Sequence, residues 1–166
     1  MNCLKGLRCK ECGACYPADR SFVCLECFGP LEVQYDYDKI VTHLNPRQIA
    51  RRAPNLWRYR ELLPLEGSPI TGFHSGFTPL VKANRLARRL GLSELYLKDD
   101  SVNHPSFSYK DRVVSVALSR GRELGYETFS CASTGNLGNS VAAHCARMGL
   151  PCLIFIPKDT EAGKVL

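Results

Sequence analysis

Ser108-Tyr109-Lys110-Asp111-Arg112, followed about one βα unit later by Ser133-Thr134-Gly135-Asn136, is the stretch on which the fold turns. Lys110 to Leu124 has a helical pattern, with Val113, Val114, Ala117 and Leu118 on one face and Gly125 as the stop. Thr128 to Ala132 reads as a strand. Asn136 to Met148 reads as a second helix, with Val141, Ala142, Cys145 and Met148 on its buried side and Gly149 at its end. Cys152 to Ile156 is continuously apolar, the pattern of a strand covered on both faces. Upstream, Leu95-Tyr96-Leu97-Lys98 reads as a strand, and Leu80 to Leu90 as a helix stopped by Gly91. Strands alternating with helices predict an α/β fold built from βαβ units, with a parallel sheet and right-handed crossovers. Only about three strands precede Leu166, and a parallel sheet that small leaves long edges open. The sequence therefore reads as the front part of a larger protein.

A lysine that bonds covalently to a carbonyl carbon must spend time as a neutral amine. Burial and nearby positive charge favour that form. Lys110 opens a helix, where the positive end of the dipole disfavours ammonium. Arg112 adds positive charge nearby and Asp111 opposes it. Taken alone, Lys110 reads as an ordinary surface lysine. The loop Ser133-Thr134-Gly135-Asn136-Leu137 follows a strand and begins a helix, so its amides and hydroxyls can surround a carboxylate or phosphate. Gly135 lets the backbone come close to such a ligand. A well-capped helix start is the alternative reading of that loop.

The totals narrow the classes. The chain has 166 residues, 45% of them hydrophobic and 23% charged, which is globular usage rather than disorder. Its net charge of +6 suits phosphate-bearing partners, nucleic acid and small anions alike. No run reaches the roughly 18 apolar residues of a membrane helix, and Met1 to Cys9 has no apolar signal core. The expectation is a cytoplasmic protein with no membrane partner.

Five of the nine cysteines fall between Cys9 and Cys27. Cys9-Lys10-Glu11-Cys12-Gly13 and Cys24-Leu25-Glu26-Cys27-Phe28-Gly29 form two knuckles. Four thiolates on two tight turns can enclose one zinc ion tetrahedrally, which predicts a structural zinc ribbon with Cys9, Cys12, Cys24 and Cys27 as ligands. Four protein ligands leave no open position, so such a metal would not be catalytic. Free thiols or redox chemistry is the alternative. Cys15 could substitute as a ligand, but it and Cys3 read as spectators.

The expected organisation is a zinc ribbon over 1–35, a packing segment over 36–75, and the front of an α/β domain over 76–166. Asn45-Pro46 reads as an N-cap and first-turn proline opening a short helix through about Ala53. Leu56, Trp57, Tyr59, Leu62, Leu63 and Leu65 alternate with Arg58 and Arg60. Basic residues between aromatics can touch nucleic acid. The plainer reading packs the segment against the main domain with its arginines in solvent. His43, His74, His104 and His144 match no ligand spacing, and Cys131 and Cys145 read as small core residues.

Gly76-Phe77-Thr78-Pro79-Leu80, Leu97-Lys98-Asp99-Asp100, Ser108-Tyr109-Lys110-Asp111-Arg112 and Ser133-Thr134-Gly135-Asn136 occur in the order seen in fold-type II pyridoxal-phosphate enzymes. With the cysteine knuckles, Leu56-Trp57-Arg58-Tyr59 and Ile156-Pro157, the chain most resembles the N-terminal portion of the threonine synthase family. The resemblance implies that Lys110 would form the Schiff base with pyridoxal 5'-phosphate and later move protons. It implies that Asn136 would hydrogen-bond the cofactor's 3′-oxygen. Ser133, Thr134, Asn136 and Leu137 would hold the substrate carboxylate. The implied reaction is a lyase step that takes O-phosphohomoserine and water to threonine and phosphate.

The sequence departs from that pattern in two places. Phe107 stands where the family has glycine, which predicts an altered loop. No glycine-rich run for the cofactor phosphate occurs between Asn136 and Leu166, so the chain is expected to be inactive alone. A threonine dehydratase or β-replacing synthase, and a non-enzymatic zinc-ribbon binding module, are the competing expectations. The resemblance names a small phosphorylated amino acid as partner, does not favour nucleic acid, and is compatible with an oligomeric full-length enzyme.

Overall fold

A computed structural model describes residues 3–164, so Met1 and Asn2 of the 1–35 segment and Val165 and Leu166 of the 76–166 segment lie outside it. The chain divides into two compact units with interleaved segments. The first comprises Met1–Ala53, Trp57–Ile70 and Val116–Glu127, and the second Pro54–Leu56, Thr71–Ser115 and Thr128–Leu166.

The first unit carries a three-stranded antiparallel ribbon. Its middle strand, β1 (Leu4–Cys9), lies between β2 (Cys15–Tyr16) and β3 (Leu31–Tyr35), with Leu7 opposite both Tyr16 and Val33. Two short helices follow. The Asp36 carboxylate accepts from Lys39 N at the start of α1 (Tyr37–His43), and Asn45 caps α2 (Pro46–Arg51) through Gln48 N at 2.9 Å. Such side-chain caps satisfy amides that a helix leaves unpaired at its start. The expected helix from Pro46 is thus present, two residues shorter than the reading to Ala53. Ile40, Trp57, Leu65 and Leu118 are buried within this unit.

Arg58 differs from its expected place in solvent. It is 8% exposed and donates from Nη2 to the Ile49 carbonyl at 2.6 Å. A buried guanidinium needs acceptors, and the last turn of α2 supplies one. Arg60 is exposed as read.

The second unit contains two strand pairs. β4 (Leu80–Lys82) pairs antiparallel with β5 (Tyr96–Lys98), and α3 (Asn84–Arg89) connects them. β6 (Phe129–Ala132) pairs parallel with β7 (Cys152–Phe155), with α5 (Asn136–Met148) between them in sequence and packed on both. Helix α4 (Lys110–Glu123) starts in this unit, and the division between units falls after Ser115. Among the described residues the fold is mixed α/β with one parallel pair.

Three readings are corrected here. The single helix expected over Leu80 to Leu90 splits, because Leu80 to Lys82 pair with Tyr96 to Lys98 before the helix starts at Asn84. The same pairing makes Leu95 to Lys98 an antiparallel partner rather than a third parallel strand. The β7 run is not covered on both faces among the described residues: Cys152 and Ile154 face inward, while Leu153 and Phe155 are 56% and 60% exposed.

The helix faces also shift. On α4 the buried positions are Asp111, Val114, Ser115, Leu118 and Ser119, while Val113 is 54% exposed and Ala117 is exposed. On α5 the buried positions are Gly138, Ser140, Val141, His144 and Cys145, and Ala142 is exposed. Both buried stripes keep the spacing of one helix face. Val114, Leu118, Val141 and Cys145 are buried as expected, while polar residues fill much of each stripe in place of Val113, Ala117 and Ala142.

Phe107 has φ 57°, the left-handed region that glycine favours. The backbone at this position therefore takes a conformation that glycine favours, at a cost of about 1–2 kcal/mol for a residue with a Cβ. Phe107 is also 67% exposed, so its ring offsets little of that by packing. Phe107→Gly is expected to be about 0.5–1 kcal/mol more stable than Phe107→Ala, since both lose the ring and only glycine relieves φ. Urea denaturation of the two variants checks this; equal midpoints would contradict it.

Candidate active site and metal cluster

Lys110 is the first residue of α4 and is half-buried. Its Nζ lies 4.9 Å from the centre of the Tyr109 ring. The charges beside it in sequence are engaged elsewhere. Arg112 grips Asp100 with two bonds, Nε to Oδ2 at 2.9 Å and Nη2 to Oδ1 at 2.8 Å. Arg112 also donates to the Thr78 hydroxyl at 3.0 Å, and Thr78 in turn donates to Asp100. The Arg112 bonds hold the Asp100 carboxyl down to about 2, with help from Thr78 after the cost of burial.

Asp111 is fully buried. Its carboxylate accepts from Ser106 Oγ at 2.7 Å, Ser106 N at 3.0 Å, Ser108 N at 3.5 Å and Ser140 Oγ at 2.6 Å. Ser140 lies one turn into α5, on the helix that Asn136 opens. Asn103, 1% exposed, donates to the Ser108 carbonyl at 2.7 Å and accepts from Gly76 N at 2.8 Å. The four motifs read from the sequence are therefore joined physically. Asn103 ties Gly76 to Ser108, Arg112 ties Thr78 to Asp100, and Asp111 ties the lysine turn to α5.

The anion loop has the form a ligand cradle needs. Helix α5 has no side-chain hydrogen bond at its Gly135 cap, and a Cβ built on Gly135 would meet nothing within 4 Å. Ser133 is half-buried, Leu137 likewise, while Thr134 and Asn136 are exposed. The Gly135 amide donates to Ser133 Oγ at 3.3 Å, and the start of a 13-residue helix favours a bound carboxylate or phosphate. A lysine amine thus stands at one helix start of this unit and backbone amides at another.

Cys9, Cys12, Cys24 and Cys27 place their Sγ atoms within 4.8 Å of one another. Cys9 and Cys27 are 3.5 Å apart at sulfur, as are Cys12 and Cys24. A tetrahedron with metal–sulfur bonds of about 2.3 Å has sulfur–sulfur edges of about 3.8 Å. The donor set fits a zinc ion. Gly13, after the first knuckle, takes φ 79° and Phe28, after the second, φ 58°. Gly29 has a different task, since a Cβ there would come within 3.0 Å of Cys9 Sγ and 3.2 Å of Cys27 Sγ. Cys15 is outside the cluster and donates to the Gly13 carbonyl.

Two contributors escaped the sequence reading. The Tyr16 hydroxyl lies 3.1 Å from Cys24 Sγ and accepts from Leu25 N at 3.0 Å. Donating to the sulfur, it is the main cause that lowers the Cys24 thiol to about 6. Asp111 was read only as a charge beside Lys110. Its signal was present in Ser108-x-x-Asp111 before an apolar run, the spacing of a capping box.

The matched segment and the site coincide. Residues 72–166 match the family model described as "Pyridoxal-phosphate dependent enzyme". The chain belongs to this family. It is also similar to curated threonine synthases. That of Methanocaldococcus jannaschii is 41% identical over 156 residues, 93% of this chain and 38% of the relative. That of Methanosarcina acetivorans is 40% identical over 160 residues, 96% of this chain and 38% of the relative. That of Bacillus sp. (strain ULM1) is 39% identical over 108 residues, 64% of this chain and 30% of the relative. The chain thus spans about two fifths of the length of the relatives that match it throughout. Among the described residues of this family member, no helix is long and apolar enough to cross a membrane.

The Asp100–Arg112 pair generates a pH test. Asp100 is depressed below the ordinary carboxyl value of about 3.9, so its contribution is complete above that value and fades as pH falls through about 2. Asp100→Asn should cost about 1–2 kcal/mol at neutral pH and flatten the loss of stability between about pH 4 and about pH 2. Urea unfolding across that range measures both; an unchanged acid slope would contradict the assignment.

Proposed function

We propose that this chain supplies the lysine-bearing wall of a threonine-synthase-like lyase, which takes O-phosphohomoserine and water to threonine and phosphate. The observation that carries this reading is that Lys110 and the Ser133–Asn136 loop each open a helix of the same unit. The names of its 40–41% identical relatives support it.

In this reading Lys110 Nζ holds pyridoxal phosphate covalently and later carries a proton. The cofactor, when bound, supplies an electron sink for carbanionic charge. The Asn136 side chain donates to its 3′-oxygen. Ser133, Thr134, Asn136 and Leu137, by hydroxyl and backbone amide, bind and orient the substrate carboxylate at the positive end of α5. The substrate's phosphate agrees with the +6 net charge. Because the chain covers 38% of its relatives' length, we expect it to hold the cofactor less tightly alone than within an enzyme of their length.

The test uses an enzyme of the relatives' length that contains this chain. Lys110→Ala should abolish the absorbance of the lysine-bound cofactor and phosphate release from O-phosphohomoserine together. An unchanged spectrum sinks the role of Lys110. An intact spectrum in the unaltered enzyme without phosphate release assigns the site to a different substrate.

The cysteine cluster is proposed as a structural zinc site with Cys9, Cys12, Cys24 and Cys27 as its four ligands. The chain should bind one zinc ion per molecule, and Cys12→Ser should weaken binding by a factor of about ten or more. Competition with a coloured chelator reads the affinity. Stoichiometric binding by a Cys12→Ser, Cys24→Ser double variant would overturn the ligand set.

A further inference from the structure

We infer that Asp111 is a positioning residue: its buried carboxylate sets Lys110 against the anion loop by joining the lysine turn to helix α5. The inference deepens the proposed reading of Lys110 and rests on it.

Asp111 is one residue from Lys110, yet it is fully buried. Two of its acceptor bonds run to Ser106 and one to the Ser108 amide, which fixes the turn before the lysine. The bond from Ser140 Oγ, at 2.6 Å, crosses to another element. Ser140 lies four residues after Asn136, so it shares a face of α5 with the first residue of the loop. A further polar neighbour is His144, four residues on again, whose Nε2 is 3.6 Å from Asp111 Oδ1. The His144 Nδ1 pairs with the Thr71 hydroxyl at 2.7 Å. Both α5 neighbours of the carboxylate therefore lie on the helix whose start would hold the substrate.

A residue that only capped α4 would need the Ser106 and Ser108 bonds and nothing from α5. The Ser140 bond distinguishes positioning from capping. Ser115 Oγ, which returns to the Asp111 carbonyl, and Ser75, 3.3 Å from that hydroxyl, hold the peptide itself in place. Displacement of a reacting group by a fraction of an ångström to one ångström costs from several-fold to about a hundredfold in rate.

The test uses an enzyme of the relatives' length that contains this chain, with pyridoxal phosphate in excess, followed by borohydride reduction. Mass spectrometry reads the ratio of label on Lys110 to label on Lys158, an exposed lysine of the same unit. Label on Lys158 measures the nonspecific reaction of an exposed amine. The unaltered enzyme should favour Lys110. Asp111→Asn, which replaces one acceptor oxygen by a donor facing other donors, should lower the ratio by about tenfold or more. Ser140→Ala should lower it several-fold with an unchanged circular dichroism spectrum. Should Asp111→Asn fail to fold, Ser140→Ala alone decides.

A preference for Lys110 that survives in folded Asp111→Asn or in Ser140→Ala overturns the positioning role and leaves the Lys110 reading intact. No preference in the unaltered enzyme overturns both. A ratio sensitive to Ser106→Ala but not to Ser140→Ala assigns Asp111 to capping and also overturns the inference.

Discussion

A carboxylate sealed from water must be surrounded by donors, and that requirement organises the second unit. Asp111 is such a group, and an uncompensated charge there would cost several kcal/mol. Bonds to an ionised group contribute about 1.5–3 kcal/mol each. Asp111 takes them from Ser106, Ser108 and Ser140. Those donors come from one turn and one helix, so the carboxylate can be satisfied only when the two meet. His144 lies beside this carboxylate, and its buried Nε2 has no hydrogen-bond partner among the described residues. It is 1% exposed, and burial pushes its imidazole below the ordinary histidine range. Its Nδ1 pairs with the Thr71 hydroxyl at 2.7 Å, and its Nε2 lies 3.6 Å from Asp111 Oδ1.

The same logic explains why the buried stripes of α4 and α5 are so polar. Ser115, Ser119 and Ser140 are at most 1% exposed. Small hydroxyl residues let helix and loop backbones approach while still finding acceptors. A large apolar side chain at Ser140 would remove the bond that joins the Lys110 turn to α5. Packing energy is exchanged here for directional bonds, which specify one arrangement more sharply than apolar contacts do.

Legibility in the sequence followed the physics of each signal. α4 and α5 were read almost to the residue, because glycine stops at Gly125 and Gly149 and long periodic runs are strong signals. The cysteine cluster was legible for a different reason: two Cys-x-x-Cys knuckles constrain geometry locally, whatever the rest of the chain does. The split of Leu80 to Leu90 was not legible. A three-residue strand is defined by its partner, and Tyr96 to Lys98 lie beyond α3. The positions of Val113, Ala117 and Ala142 were misread because hydropathy cannot score a buried serine or aspartate. The Ser140 partner of Asp111 and the Asp100 and Thr78 partners of Arg112 are 12 to 34 residues away, and local pattern carries no trace of them. Motif order named the segments that meet, but not the bonds through which they meet.

Phe107 shows how firmly the lysine turn is held. Left-handed backbone at a residue with a Cβ persists only where its neighbours over-determine it. Both neighbours are anchored: Ser106 by two bonds to Asp111, and Ser108 by its amide to Asp111 and its carbonyl to Asn103. Ser108 Oγ also accepts from Lys110 N at 3.2 Å. With the residues on either side fixed, Phe107 has no alternative φ that keeps those bonds. The bonds outweigh the strain, since losing even one bond to the carboxylate costs as much as the unfavourable φ. The turn thus holds a path that glycine favours at a residue with a side chain, and that path delivers Lys110 to the start of its helix.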